Sequence, residues 1–175
     1  MLQYVPERQK LPQIVRRQKM VRGRKLVPVL AVLTLVLGIV APPPARQVEA
    51  NPGMIYVPDN YTTIQAAVNN ATSGDTIITR DGTYNENVRV STASLTIKSE
   101  NGSANCIVSA ANPNDHVFYV NASGVNITGF TIENATGDNC DGTCLYYADY
   151  CTISDNMVTN NDIGIELYFS TNNTL

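Results

Sequence analysis

From residue 54 onward, apolar and polar positions alternate in runs of three to five residues. The runs begin with Met54-Ile55-Tyr56-Val57, Thr76-Ile77-Ile78-Thr79, Val88-Arg89-Val90 and Leu95-Thr96-Ile97-Lys98. They continue through Cys106-Ile107-Val108, Val117-Phe118-Tyr119-Val120, Val125-Asn126-Ile127 and Thr131-Ile132-Glu133. The last are Thr152-Ile153, Met157-Val158-Thr159 and Ile163-Gly164-Ile165-Glu166-Leu167. Period-two alternation with β-branched residues predicts strands with one buried face. Asn, Gly, Asp and Ser separate the runs and mark turns. One stretch differs. In Thr62–Ala71 the apolar residues Ile64, Ala67, Val68 and Ala71 recur at helical spacing, with a Thr at 62 or 63 to cap the start and Gly74 beyond the end.

The strands also repeat. Residues 125–134 overlay 151–160 at an offset of 26, so that Ile127 meets Ile153, Ile132 meets Val158 and Asn134 meets Asn160. Leu95-Thr-Ile97 precedes Val125-Asn-Ile127 by 30, and Leu175 follows Ile153 by 22. Short strands at such a period predict a solenoid. The dense Leu spacing of a leucine-rich repeat is missing, and a propeller blade needs about 40 residues or more. A parallel β-helix fits, with Asn at the bends, where it tolerates left-handed backbone and can bond its counterpart one turn on. The single helix would then lie over the exposed end of the first coil.

The first fifty residues have another pattern. Residues 26–41, LVPVLAVLTLVLGIVA, follow a basic run and lead to Val48-Glu49-Ala50. That order predicts a secretory signal cleaved after Ala50, with Met20 as an alternative start and an uncleaved anchor through 26–41 as the competing reading. Residues 51–175 then form one domain. Nine of the 12 Lys and Arg lie in 1–50, whereas 51–175 hold three basic and thirteen acidic residues, a net of −10. No basic face remains for nucleic acid, and membrane contact is expected only through 26–41.

Export frames the next features. Cys106, Cys140, Cys144 and Cys151 all follow the cleavage point, and an even count outside the cytoplasm predicts disulfides, chiefly among Cys140, Cys144 and Cys151. Seven Asn-x-Ser/Thr triplets, at Asn60, Asn70, Asn101, Asn121, Asn126, Asn134 and Asn172, are candidate glycosylation sites.

Tyr61-Thr-Thr-Ile-Gln-Ala-Ala-Val68, Gly74-Asp-Thr-Ile-Ile78, Asp81-Gly-Thr-Tyr-Asn-Glu-Asn-Val88 and Leu95-Thr-Ile-Lys98 resemble the opening of right-handed parallel β-helix proteins of the pectin-lyase-like superfamily. That superfamily includes pectin methylesterase-like and NosD-type proteins and many archaeal surface proteins. The resemblance covers about residues 54–175 and implies the fold: all-β, a right-handed parallel β-helix with a short capping helix. It implies no single chemistry. The chain stops at Asn172-Asn-Thr-Leu175 inside a repeat, which predicts a fragment of a longer protein.

Sugar hydrolysis needs two carboxylates about 5 Å or 6.5–9.5 Å apart. At an offset of 26, Glu133 meets Thr159, Asp155 meets Gly129 and Asp141 meets Leu167, so no acids align. Asp155, Asp162 and Glu166 read as solvated residues. Superfamily lyases use a basic residue, but Arg80, Arg89 and Lys98 sit in no motif that can be carried over. Cys140-Asp-Gly-Thr-Cys144, Cys151 and His116 could be assembled into a zinc cluster, but the spacing is unspecific. Residues 138–142 offer oxygens to calcium without matching a calcium loop, so a plain turn is expected. Copper, which the NosD resemblance brings in, finds one His and two Met after the cleavage point. The sequence reading therefore has no metal cofactor, with calcium as the exception. Tyr146, Tyr147, Tyr150 and Tyr168 are candidate glycan contacts, the first three in what reads as a loop leaving the coil. The expected function is a secreted or surface-displayed β-helix that binds glycan or builds a surface layer. The alternatives are the N-terminal part of a polysaccharide lyase or glycoside hydrolase, and a periplasmic NosD-like copper-insertion accessory.

Overall fold

A computed structural model describes residues 52–175. The signal or anchor over 26–41 and the cleavage after Ala50 lie outside the described residues. In chain order the elements are β1 (Met54–Val57), α1 (Ile64–Asn70), β2 (Thr76–Thr79), β3 (Gly82–Asn85), β4 (Val88–Val90), β5 (Thr96–Ser99) and β6 (Cys106–Ser109). Then come β7 (Phe118–Val120), β8 (Asn126–Thr128), β9 (Thr131–Glu133), β10 (Asp141–Tyr146), β11 (Thr152–Ser154), β12 (Met157–Thr159) and β13 (Ile163–Tyr168).

These strands wind through three sheets in turn. The first has the order β1-β2-β5-β8-β11, the second β3-β6-β9-β12 and the third β4-β7-β10-β13. Every pairing is parallel. Successive coils therefore stack one strand on the next, and the molecule is a parallel β-helix. Like residues fall in line: Ile77, Ile97, Ile127 and Ile153 occupy one buried row. The expected offsets of 30 and 26 hold in this row. The other coils are 22 residues from Ile55 to Ile77, 20 from Ile77 to Ile97 and 22 from Thr152 to Thr174.

Alternation supplies the core. Val88 and Phe118, and then Val90, Val120 and Leu145, form buried rows of the third sheet. Each fully buried aliphatic side chain contributes about 1.5–3 kcal/mol. Helix α1 puts Ile64, Ala67 and Val68 into the same core. Its start is held twice. Thr63 Oγ1 accepts the Ala66 N–H, and the Glu86 carboxylate accepts the N–H groups of Ile64 and Gln65, both at 2.9 Å.

The bends use Asn as the repeat predicts. Asn134 and Asn160, at φ +74° and +52°, follow β9 and β12 at equivalent corners. Asn160 donates its side-chain amide to Asn134, which donates to Ser109 Oγ one coil earlier. A second device recurs three times. Asn156, Asn161 and Asn173 each accept a backbone N–H (Phe130, Ala135, Cys151) and donate to a backbone carbonyl (Ile127, Ile132, Ala148) of the preceding coil.

Two strands escape the sequence reading, β3 and β10. The second matters more. Asp141–Tyr146 was expected as a turn running into a loop, yet it is a strand between β7 and β13. Its polar Asp-Gly-Thr-Cys start hides the alternation, and register with its neighbours sets its conformation.

Candidate functional site

Strand β10 brings the chemistry together. The register places Cys144 opposite Tyr119 on one side and Glu166 on the other. His116 lies just before β7. Donor atoms of His116, Asp141 and Cys144 all lie within 4.8 Å of one another. Asp141 is wholly buried, Cys144 is 3% exposed, and the His116 side chain reaches solvent at 21%.

Hydrogen bonds fix the geometry of the cluster. His116 Nδ1 accepts the Asp141 N–H at 3.0 Å. The same nitrogen lies 3.0 Å from Asp141 Oδ2. Nδ1 thus faces both the Asp141 backbone and its carboxyl. Both Asp141 oxygens are buried without a hydrogen bond of ordinary geometry, with the Cys144 thiol and His116 Nδ1 beside them. Among the described residues it is the one carboxylate left so.

Burial pushes the Asp141 carboxyl above its ordinary range, against the pull of the Cys144 thiol and of His116, and the neighbouring Glu166 carboxyl raises it further. Burial likewise pushes the Cys144 thiol up to about 12, and Asp141 and Glu166 add to the shift. A Cys-His-Asp trio can serve as a nucleophile with its base, but a thiol so protonated and 3% exposed is not activated. Nor can a sugar pass between Asp141 and Glu166 while Asp141 is wholly buried.

The arrangement suits a cation. Isolated buried carboxyls are costly unless they are paired or bind metal. Here an imidazole lone pair, a thiol and an orphaned carboxyl converge, with a second carboxyl beside them. Imidazole and thiolate suit copper and zinc. The donor set thus fits a transition metal better than calcium, which takes oxygen ligands.

The sequence reading had weighed His116 and Cys144 together as zinc ligands, but Asp141 only as an aligned acid or part of a calcium loop, and Glu166 only as an isolated acid. At an offset of 26 it paired Asp141 with Leu167, whereas the final coil is shorter and Asp141 meets Ile163. Glu166, read as a solvated residue, is half-buried beside the cluster. Asp155 and Asp162 are exposed as expected, the latter accepting the Asn139 N–H.

The structure shows no disulfide among the described residues. Cys106, Cys140, Cys144 and Cys151 are all free and buried. Four residues of extended chain separate Cys140 from Cys144 by about 13 Å, well beyond the roughly 7 Å a disulfide allows. Cys151 precedes a strand of another sheet. Of the acceptor triplets, Asn60, Asn70, Asn101, Asn121 and Asn172 are exposed, while Asn126 and Asn134 are half-buried in side-chain ladders.

The tyrosines form a stack on the outer side of the third sheet. Tyr119, Tyr146 and Tyr168 follow at 5.8 and 5.1 Å between ring centroids, the latter pair within 4° of parallel. His116 stacks on Tyr119 at 5.7 Å, and Tyr147 stacks on Phe169 at 5.1 Å. The Tyr146 ring is therefore covered on both faces, whereas Tyr147 and Tyr150 are 58% and 68% exposed. Arg89 lies over Tyr119 and pairs with Asp115, and Arg80 pairs with Asp59 and Glu100.

Fold and cluster together define a parallel β-helix repeat protein. A family profile described as "Periplasmic copper-binding protein (NosD)" matches residues 49–175. The chain belongs to the NosD family. No curated protein matches the sequence. Among solved structures, an alginate lyase from Paenibacillus sp. str. FPU-7 is similar at 23% identity and a TM-score of 0.48, over 59% of this chain and 36% of that chain. The matched part is about a third of that enzyme's length.

Proposed function

We propose that the protein acts outside the cytoplasm as a β-helix scaffold that holds a single copper ion at His116, Asp141 and Cys144. The observation that carries this reading is the Asp141 carboxyl, wholly buried and unpartnered beside a thiol and an imidazole lone pair. The family's description supports copper as the ion. The thiol supports it too, since a soft thiolate ligand selects copper(I). Cys144 would bind as thiolate and Asp141 as carboxylate, while His116 would give the lone pair that now accepts the Asp141 N–H. Bound copper would supply the positive charge that these buried acids lack. The enclosed site favours carrying over catalysis, and export is the setting the periplasmic family supports.

The test is a competition titration of the full-length chain with copper(I) under anaerobic conditions, against a chromophoric chelator. One equivalent is expected to bind. His116→Ala and Cys144→Ser should each weaken binding at least about tenfold, or about 1.4 kcal/mol. A chain that retains no copper, or variants that bind as the parent does, would overturn the proposal. Tighter binding of zinc(II) than of copper would replace the ion.

Glycan binding is the second reading, favoured by the exposed rings of Tyr147 and Tyr150. Only rings with a free face can stack on a sugar. Loss of polysaccharide retention in Tyr150→Ala, but not in Tyr146→Ala, would support it.

A further inference from the structure

We infer that Tyr146 and Tyr168 form an oxidative cross-linking site, whose product is a dityrosine bond between two neighbouring coils. The inference is independent of the metal-binding reading. The two residues stand opposite each other in the register of β10 and β13. Paired strands lie about 4.7–4.9 Å apart, so the two side chains leave the backbone as neighbours. Their rings stack at 5.1 Å between centroids, within 4° of parallel. Tyr119 and Tyr168 cover the two faces of the Tyr146 ring, so its 38% exposure falls on the ring edge. That edge carries the hydroxyl and the ortho carbons at which phenols couple.

The neighbouring rings are less suited. Tyr147 is stacked on Phe169, which has no hydroxyl to oxidise. Tyr119 has the Arg89 guanidinium over its ring at 5.0 Å, and a cation there opposes the loss of an electron. The Tyr146–Tyr168 pair has neither obstacle.

The reaction takes hydrogen peroxide, activated at a metal centre, as its oxidant. Each phenol gives up one electron and its hydroxyl proton and becomes a phenoxyl radical. The two radicals join through ortho carbons, and the hydrogens on those carbons move back to the oxygens. In sum two C–H bonds break and one C–C bond forms. The two electrons and two protons released reduce one peroxide to two waters. Coupling of rings held side by side outruns encounter with a second molecule.

Such a bond takes the place that a disulfide has in other exported chains, since the four cysteines are free and buried. It closes the loop between Tyr146 and Tyr168 and so lowers the entropy of the unfolded chain.

Treatment of the dilute full-length chain with hydrogen peroxide and a haem peroxidase tests this. Dityrosine fluorescence should appear in the monomer. Cleavage beside Asp155 and Asp162, which lie between the two tyrosines, should leave their peptides joined. Joined peptides are the readout, because the exposed Met54 and Met157 also take up oxygen from peroxide. Tyr146→Phe and Tyr168→Phe keep the rings and should each lower the yield at least about tenfold. Tyr150→Phe should leave it unchanged, although Tyr150 is the more exposed ring at 68%. The cross-linked chain should unfold at a higher urea concentration than the untreated one. Cross-links only between molecules, an undiminished yield in Tyr146→Phe or Tyr168→Phe, or an unchanged urea midpoint would overturn the inference.

Discussion

Asp75 illustrates how single polar side chains hold this solenoid. It accepts the N–H groups of Gly53 and Thr72, each at 2.7 Å, and the Thr72 hydroxyl at 3.0 Å. The Thr72 and Gly53 amides hold its carboxyl below the ordinary range despite burial. A carboxyl with a depressed folded-state value stabilises the fold above its unfolded value, near 4, and that contribution fades as pH falls through the folded value. Urea unfolding followed from pH 6 to pH 2 should show this loss, and Asp75→Asn should flatten that part of the profile. An unchanged profile in the variant would count against the assignment. Asn161 works on the same principle without charge. Its removal strands the Ala135 N–H and the Ile132 carbonyl. Asn161→Ala should cost about 1–3 kcal/mol in urea unfolding, and a change below about 0.5 kcal/mol would refute the clamp.

Strand β10 is the element on which the site depends. A Cβ on Gly142 would come within 2.7 Å of the Gly164 carbonyl oxygen and of Val158 Cγ1, and 2.8 Å of Asn161 Nδ2. A neighbouring backbone and a clamped amide cannot give way. Gly142→Ala should therefore destabilise by about 1–3 kcal/mol and weaken the proposed copper binding, because Asp141 precedes the displaced residue and Cys144 follows two positions on. Parent-like stability and binding together would contradict the packing around it. This element was also the least legible in the sequence. Its inward positions include Thr143, so the apolar alternation that reveals β2 or β5 is interrupted. An even count of cysteines in an exported chain predicted a disulfide there, whereas Cys140 and Cys144 are free thiols in the structure. A thiol assay on the unfolded, unreduced chain should count four.

At the scale of the whole molecule, each coil leans only on its neighbours, so the same substitution should have graded effects along the axis. Ile127, buried between Ile97 and Ile153, sits mid-stack. Ile127→Ala should cost about 2–5 kcal/mol, whereas Leu167→Ala on the exposed edge strand should cost far less. Equal effects would argue against the difference in burial between the two side chains. Sequence alone determined the class of fold, the helix and most strands, because alternation, turn residues and capping are local properties written in neighbouring positions. It also placed Asn at the bends, where left-handed backbone is needed. Which residues face each other across coils was decided by tertiary structure. The coils of the first sheet run 22, 20, 30, 26 and 22 residues, so no single offset carries a residue to its neighbour. Only the short final coil brings Glu166 to Cys144 and leaves Asp141 buried beside His116, and that meeting depends on stacking over distances that no local pattern encodes.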